Sequence, residues 1–177
     1  MKTSKIPTQL AKNASKLHKR VGRLLTSEDS PYKFYEIRQE YRVSDVNVVY
    51  KSNREKFDWA ILGLNVVIEI HGQQHYKAIR FGGIDIEKAI ENFKRRQILD
   101  AQKQQAAEEA GWAYVVVKYD ETNINIGILT DKIARALEAV SEDIEKPFKQ
   151  KQKIPTRGEY KWPTKKIPSR KFNSKKN

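Results

Sequence analysis

Phe57-Asp58-Trp59-Ala60-Ile61-Leu62-Gly63-Leu64-Asn65-Val66-Val67-Ile68-Glu69-Ile70-His71-Gly72 is the stretch that decides the fold. Two runs rich in β-branched, aliphatic and aromatic residues flank a Gly/Asn turn, and Gly72 closes the second run. That pattern predicts a β-hairpin with strands over 57–62 and 66–71. Side chains alternate along a strand, so Glu69 and His71 share one face while Ile68 and Ile70 turn to a core. An antiparallel partner strand brings the Asp58 carboxylate to the same edge. A carboxylate in so apolar a run is costly unless it is partnered. Glu69 is therefore either salt-bridged to a Lys or Arg, bound to a metal, or at an edge, and its residue type alone leaves these open.

Working outward, Leu17, Val21, Leu24 and Leu25 recur at helical spacing among Lys16, Lys19, Arg20 and Arg23, which predicts a basic amphipathic helix over 15–25. Residues 34–50 carry Tyr35, Ile37, Tyr41, Val43, Val46, Val48 and Val49 and favour strand. Phe81-Gly82-Gly83 reads as a flexible loop. A long helix is expected over 85–110, with Ile86, Ile90, Phe93, Gln97, Ala101 and Ala107 at helical spacing and Gly111 as its stop. Residues 112–119 form a third core strand. A last helix over 126–144 turns Leu129, Ile133, Leu137, Val140 and Ile144 inward, and Pro147 ends it.

Both ends of the chain differ from this core. Residues 1–15 read as a basic flexible arm, 16–146 as the folded domain, and 147–177 as a basic, Pro-containing tail. Lys153-Ile154-Pro155-Thr156-Arg157 repeats as Lys166-Ile167-Pro168-Ser169-Arg170, with a partial copy at Lys5-Ile6-Pro7-Thr8. Over all 177 residues, 35 Lys and Arg oppose 22 Asp and Glu, a formal net charge of +13. A surplus of that size favours a polyanionic partner, since each cation laid on a phosphate releases a condensed counterion. The chain has no cysteine, which excludes disulfides and Cys-based zinc sites. No apolar run approaches the roughly 20 residues that span a bilayer, so no membrane partner is expected. The expected compartment is the cytoplasm, that of a host cell if a phage encodes the chain.

Chemistry is expected from Asp58, Glu69 and His71, with a second histidine, His75, four residues on. Converging carboxylates make a hard oxygen site suited to Mg²⁺. Two histidines four apart would suit zinc on a helix, but Gly72 and the strand before it disfavour a helix there. The order of an acidic residue on one strand and Glu69-Ile70-His71 on the next resembles the PD-(D/E)XK nuclease superfamily, with His71 in the lysine position. Ile68-Glu69-Ile70-His71-Gly72-Gln73-Gln74-His75-Tyr76, then Phe81-Gly82-Gly83, the helix carrying Asp100 and Lys103, and the strand at 111–117 are similar to the branch around very-short-patch repair endonucleases and related phage homing endonucleases. The likeness spans roughly residues 34–120.

That resemblance implies a restriction-endonuclease-like α/β fold, with a mixed central sheet flanked by helices and basic arms at both ends. It implies Mg²⁺-dependent hydrolysis of DNA phosphodiesters, with Mn²⁺ as a substitute, leaving a 5′-phosphate. Asp58 would be the principal metal ligand and Glu69 a second ligand or an orienting group. His71 and His75 would activate water or protonate the leaving oxygen, and Gln74 would position the phosphate. The upstream acidic residue of the family falls on Glu36 or Glu40, with Glu40 preferred beside a strand. Asp100 would enter from the long helix. The structural zinc of the repair enzymes has no cysteines here and is not carried over.

DNA contacts are expected from Lys94, Arg95, Arg96 and Lys103 on the helix and from Lys153, Arg157, Lys165, Lys166, Arg170 and Lys171 in the tail. Without a separate specificity domain, DNA shape becomes the expected target, as in a nicking enzyme or a resolver of branched DNA such as a Holliday junction. A homodimer would supply the two active sites a symmetric junction needs. The alternatives are a site-specific homing-type cutter, a non-catalytic nucleic-acid-binding protein on a degenerate nuclease fold, and an RNA-associated basic protein.

Overall fold

The computed structural model describes residues 14–145. The expected arm and tail, with Lys153, Arg157, Lys165, Lys166, Arg170 and Lys171, lie outside the described residues. Elements run in the order α1 (Lys16–Thr26), β1 (Ile37–Arg42), α2 (Val43–Val46), β2 (Lys56–Ile61), β3 (Val66–His71), α3 (Ile86–Glu109), β4 (Ala113–Lys118) and α4 (Ile126–Glu145). The four strands form one mixed sheet in the order β1-β2-β3-β4; β1, β2 and β3 are antiparallel, and β3 and β4 are parallel. This is the expected mixed sheet flanked by helices.

The 57–71 segment folds as its composition dictates. β2 and β3 pair Trp59 with Ile68, Ala60 with Val67 and Ile61 with Val66. A single 3-10 turn joins them, and Asn65 adopts the left-handed conformation (φ 52°) that lets the chain reverse. Both faces of the sheet are covered. On one, α1 and α4 bring Val21, Leu25, Leu129 and Ile133 against Trp59, Ile61, Ile68, Val115 and Val117. On the other, Ala106 and Ala107 of α3 and Val43 and Val46 of α2 meet Phe57, Ala60 and Val67. Asn47 Nδ2 donates to the Ala106 carbonyl (3.0 Å) and ties the α2 turn to α3. Gly111 (φ 73°) then turns the chain from α3 into β4.

Two expectations need correction. The strand-favouring run 43–49 is not strand: Val43 and Val46 are buried on a single helical turn, while Val48 and Val49 are 92% and 79% exposed. Their β-propensity is overridden because the chain must leave β1 and reach β2 within a short loop. The inward face of α3 also differs. Ile86 is 53% exposed and Gln97 is exposed, whereas Ala89, Lys103, Ala106 and Ala107 are buried. A buried lysine is invisible to a search for apolar spacing. The Phe81–Gly83 loop forms a 3-10 turn with positive φ at Gly82 and Gly83.

Candidate active site at the parting of two strands

The β2–β3 ladder stops at Trp59 and Ile68, but β3 continues beside β4 as far as the pair His71–Lys118. Asp58 sits where β2 leaves. Its Oδ2 accepts from the Ile70 backbone N–H at 2.6 Å, supplying the acceptor the departing strand no longer offers. Across β2, Glu40 stands at the matching irregularity of β1, with φ 53° between the pairs Gln39–Trp59 and Tyr41–Phe57.

Asp58 has a second partner that sequence reasoning missed. His18 of α1 is 5% exposed, and its Nδ1 lies 3.2 Å from Asp58 Oδ1. The other ring nitrogen lies 2.6 Å from the Gln39 side-chain amide, and the ring leans on Trp59. Ser15 caps α1 by accepting from the His18 backbone N–H (3.1 Å), so the helix start is fixed where His18 is needed. The signal was in the spacing: 18, 21, 22 and 25 form the buried stripe of α1.

Glu69 is 4% exposed and its Oε1 forms an ion pair with Nζ of Lys103, itself 7% exposed. Lys103, expected on a DNA-contacting surface, instead points inward; its ammonium also lies 5.3 Å from the Phe57 ring centre. Burial pushes the Glu69 carboxyl up to about 8; Lys103 opposes that rise, and the charges of Asp58 and Asp100 add to it. Asp58 and Glu69 thus take partners from opposite layers, α1 and α3, rather than standing side by side on one face, and the Asp58 charge still acts on Glu69.

His71 is 8% exposed and stacks on His75, with ring centres 4.2 Å apart and planes 11° from parallel. Burial, and then the neighbouring His75, lower its pKa to about 4, so it is neutral at physiological pH. Its Nδ1 meets the Tyr76 hydroxyl at 3.3 Å, and its Nε2 is buried without a hydrogen-bond partner. His75 Nδ1 and Asp100 Oδ2 are 2.6 Å apart. Ligand atoms of His71, His75 and Asp100 all lie within 4.8 Å of one another, a geometry able to hold a metal ion.

The other expected residues fall at the margin or away. Gln74 folds its amide over Gly72, so closely that a Cβ at 72 would meet it at 2.4 Å. It also lines an open groove of about 830 Å³ along the first half of α3, where Lys77, Lys94, Arg95 and Arg96 outnumber Glu55 and Glu91. Glu40 pairs with Lys56 at 3.5 Å and is half-exposed, and Glu36 pairs with Arg38. Neither is among the charges acting on Glu69 or His71. The N-terminal group that reaches Asp58 is His18, not an upstream acid.

The chain matches no known family model, no curated protein and no solved structure. Among the described residues, no helix is long and apolar enough to cross a membrane.

Proposed function

We propose that the chain is a metal-dependent DNA endonuclease of restriction-endonuclease-like fold, acting at the gap where β2 parts from β3. One observation carries this reading: the carboxylates of Asp58 and Asp100 both act on the buried Glu69, opposed by the Lys103 ammonium, beside a neutral His71. Burial and these negative neighbours make the Glu69 carboxyl hold a proton to about pH 8, and the same surroundings favour a metal cation in the proton's place. Carboxylate oxygens suit a hard divalent ion such as Mg²⁺ or Mn²⁺, so the residues present fit the ion the resemblance implies. Asp58 and Glu69 would hold it, and when bound it supplies a polarised phosphate and a more acidic water.

The chain's own groups divide the remaining work. Asp100 accepts from His75 Nδ1–H and leaves Nε2 free to take a proton from the attacking water. His71 stays neutral and packs against that ring, holding it flat. Lys103 supplies from α3 the fixed cation that the histidine at 71 does not, and orients the Glu69 carboxylate. His18 and the Ile70 N–H fix both oxygens of Asp58. The groove of Lys77, Lys94, Arg95 and Arg96 runs from Gln74 along α3 and suits a phosphate backbone. A substrate chosen by shape, a branched or nicked DNA, follows from contacts of this kind.

The test uses the full chain on labelled linear, nicked, flapped and four-way DNA with Mg²⁺, Mn²⁺ or chelator. Metal-dependent cleavage is expected. Asp58→Ala is expected to lower it by about 10²-fold or more, the scale of losing one preorganised charge-stabilising group, with DNA affinity retained. Equal cleavage by Asp58→Ala, or no cleavage of any substrate with either metal, overturns the proposal.

A further inference from the structure

We propose that His71, His75 and Asp100 form a second cation site, one that takes Zn²⁺ or a similar nitrogen-seeking ion rather than Mg²⁺. Three observations point to it. Their ligand atoms already lie within 4.8 Å of one another. His71 Nε2 is buried and unpartnered in a side chain that is 8% exposed, an arrangement with a lasting desolvation cost that a bound ion would remove. Asp100 Oδ2 and His75 Nδ1 already meet at 2.6 Å across a single proton, which a metal ion taking both atoms as ligands would displace. Both histidines come from a short stretch, the end of β3 and the 3-10 turn at Gln73–His75, with Asp100 on α3. A modest tilt of the stacked rings brings the nitrogens to the ~2.0–2.1 Å reach of zinc, with water completing the tetrahedron.

The donor set decides the ion. Two imidazoles and one carboxylate favour Zn²⁺, Co²⁺ or Ni²⁺, whereas Mg²⁺ and Ca²⁺ prefer oxygen. The chain has three histidines and no cysteine, and the third, His18, is engaged by Asp58 and Gln39. No thiolate and no second histidine pair compete. If the nuclease reading holds, zinc here displaces the Asp100 hydrogen bond that prepares His75 to take a proton from water, so Zn²⁺ inhibits Mg²⁺-dependent cleavage. That consequence rests on the nuclease reading, but the site itself does not.

The experiment is titration of the metal-free full chain with Zn²⁺ by calorimetry, with no DNA present, and with Co²⁺ followed by its visible absorption. One ion per chain at micromolar affinity or tighter is expected, with Co²⁺ bands of low-symmetry coordination. His71→Gln and Asp100→Asn, each checked by melting, should weaken binding by about tenfold or more, and Asp58→Ala, which removes a neighbouring charge but no ligand, should weaken it less. If one of the pair fails to fold, the other decides. Absence of micromolar binding, binding that survives His71→Gln and Asp100→Asn, or binding that Asp58→Ala weakens equally overturns the proposal. Because cleavage is read separately, zinc binding without nuclease activity supports this site and sinks the other reading, and the reverse result does the opposite.

Discussion

The two faces of the sheet are built from opposite materials. Against α1 and α4, large side chains interlock: Leu25, Trp59, Ile61, Ile68, Leu129 and Ile133 are all 1% exposed or less. Against α3, small Ala106 and Ala107 pack at one end, and the helix then presents Lys103 and Asp100 to the sheet instead of apolar groups. β3 passes between both layers, apolar over Val66–Ile68 and then carrying Glu69 and His71 on one side of Ile70. Such a division gathers most of the large apolar side chains on one face and most of the buried polar groups on the other, with Asp58 and His18 as the polar pair on the apolar side. The polar face gives up apolar burial, and the cost is borne by the core behind it.

The largest effect is expected from cutting into the apolar face. Ile133→Ala should cost about 2–5 kcal/mol, the range for a large-to-small change in a closed core. Denaturant unfolding reads it directly. A loss well under 1 kcal/mol would mean that α4 is not the stabilising cover.

Next is the pH response of the polar face, measured with chelator present. Glu69 is raised from 4.5 to about 8, so its stabilising contribution is complete below 4.5 and is lost as pH climbs through 8. His71 is lowered from 6.5 to about 4, so its contribution is complete above 6.5 and is lost as pH falls through 4. The two offset one another between 4.5 and 6.5. Above 6.5 only the Glu69 loss remains, about 2 kcal/mol by pH 8. Glu69→Gln should flatten the melting curve in that interval, and a parent protein with no loss there would contradict the assignment.

The smallest expected effect is the most informative. Replacing a buried ion pair as a unit by neutral groups of similar volume is often neutral or stabilising. Glu69→Gln with Lys103→Met should therefore melt within about 1 kcal/mol of the parent, or above it. A large drop would show that the pair holds the fold together rather than serving the site.

What the amino-acid sequence made legible follows the same division. The hairpin at 57–71 was readable because its β-branched runs, its turn and its burial agree. The inward line of α3 was not, because Lys103 occupies a position where apolar residues are counted; Asp100 was reached through the family resemblance rather than through periodicity. His18 was missed for a related reason. Its distance in sequence from His71 and His75 hid its place on the Val21–Leu25 stripe, one turn from residues correctly read as core. Val48 and Val49 show the converse, strand-formers left exposed in a connection. Apolar periodicity finds layers; charges brought together from separate layers need the packing itself.

The measurement closest to the centre of this account is nicking of supercoiled plasmid with Mg²⁺ by the chain carrying both Glu69→Gln and Lys103→Met. That variant is expected to fold like the parent and no longer cut. A variant that is folded and cuts at the parental rate would contradict it, because the charged half of β3 would then have no part in catalysis.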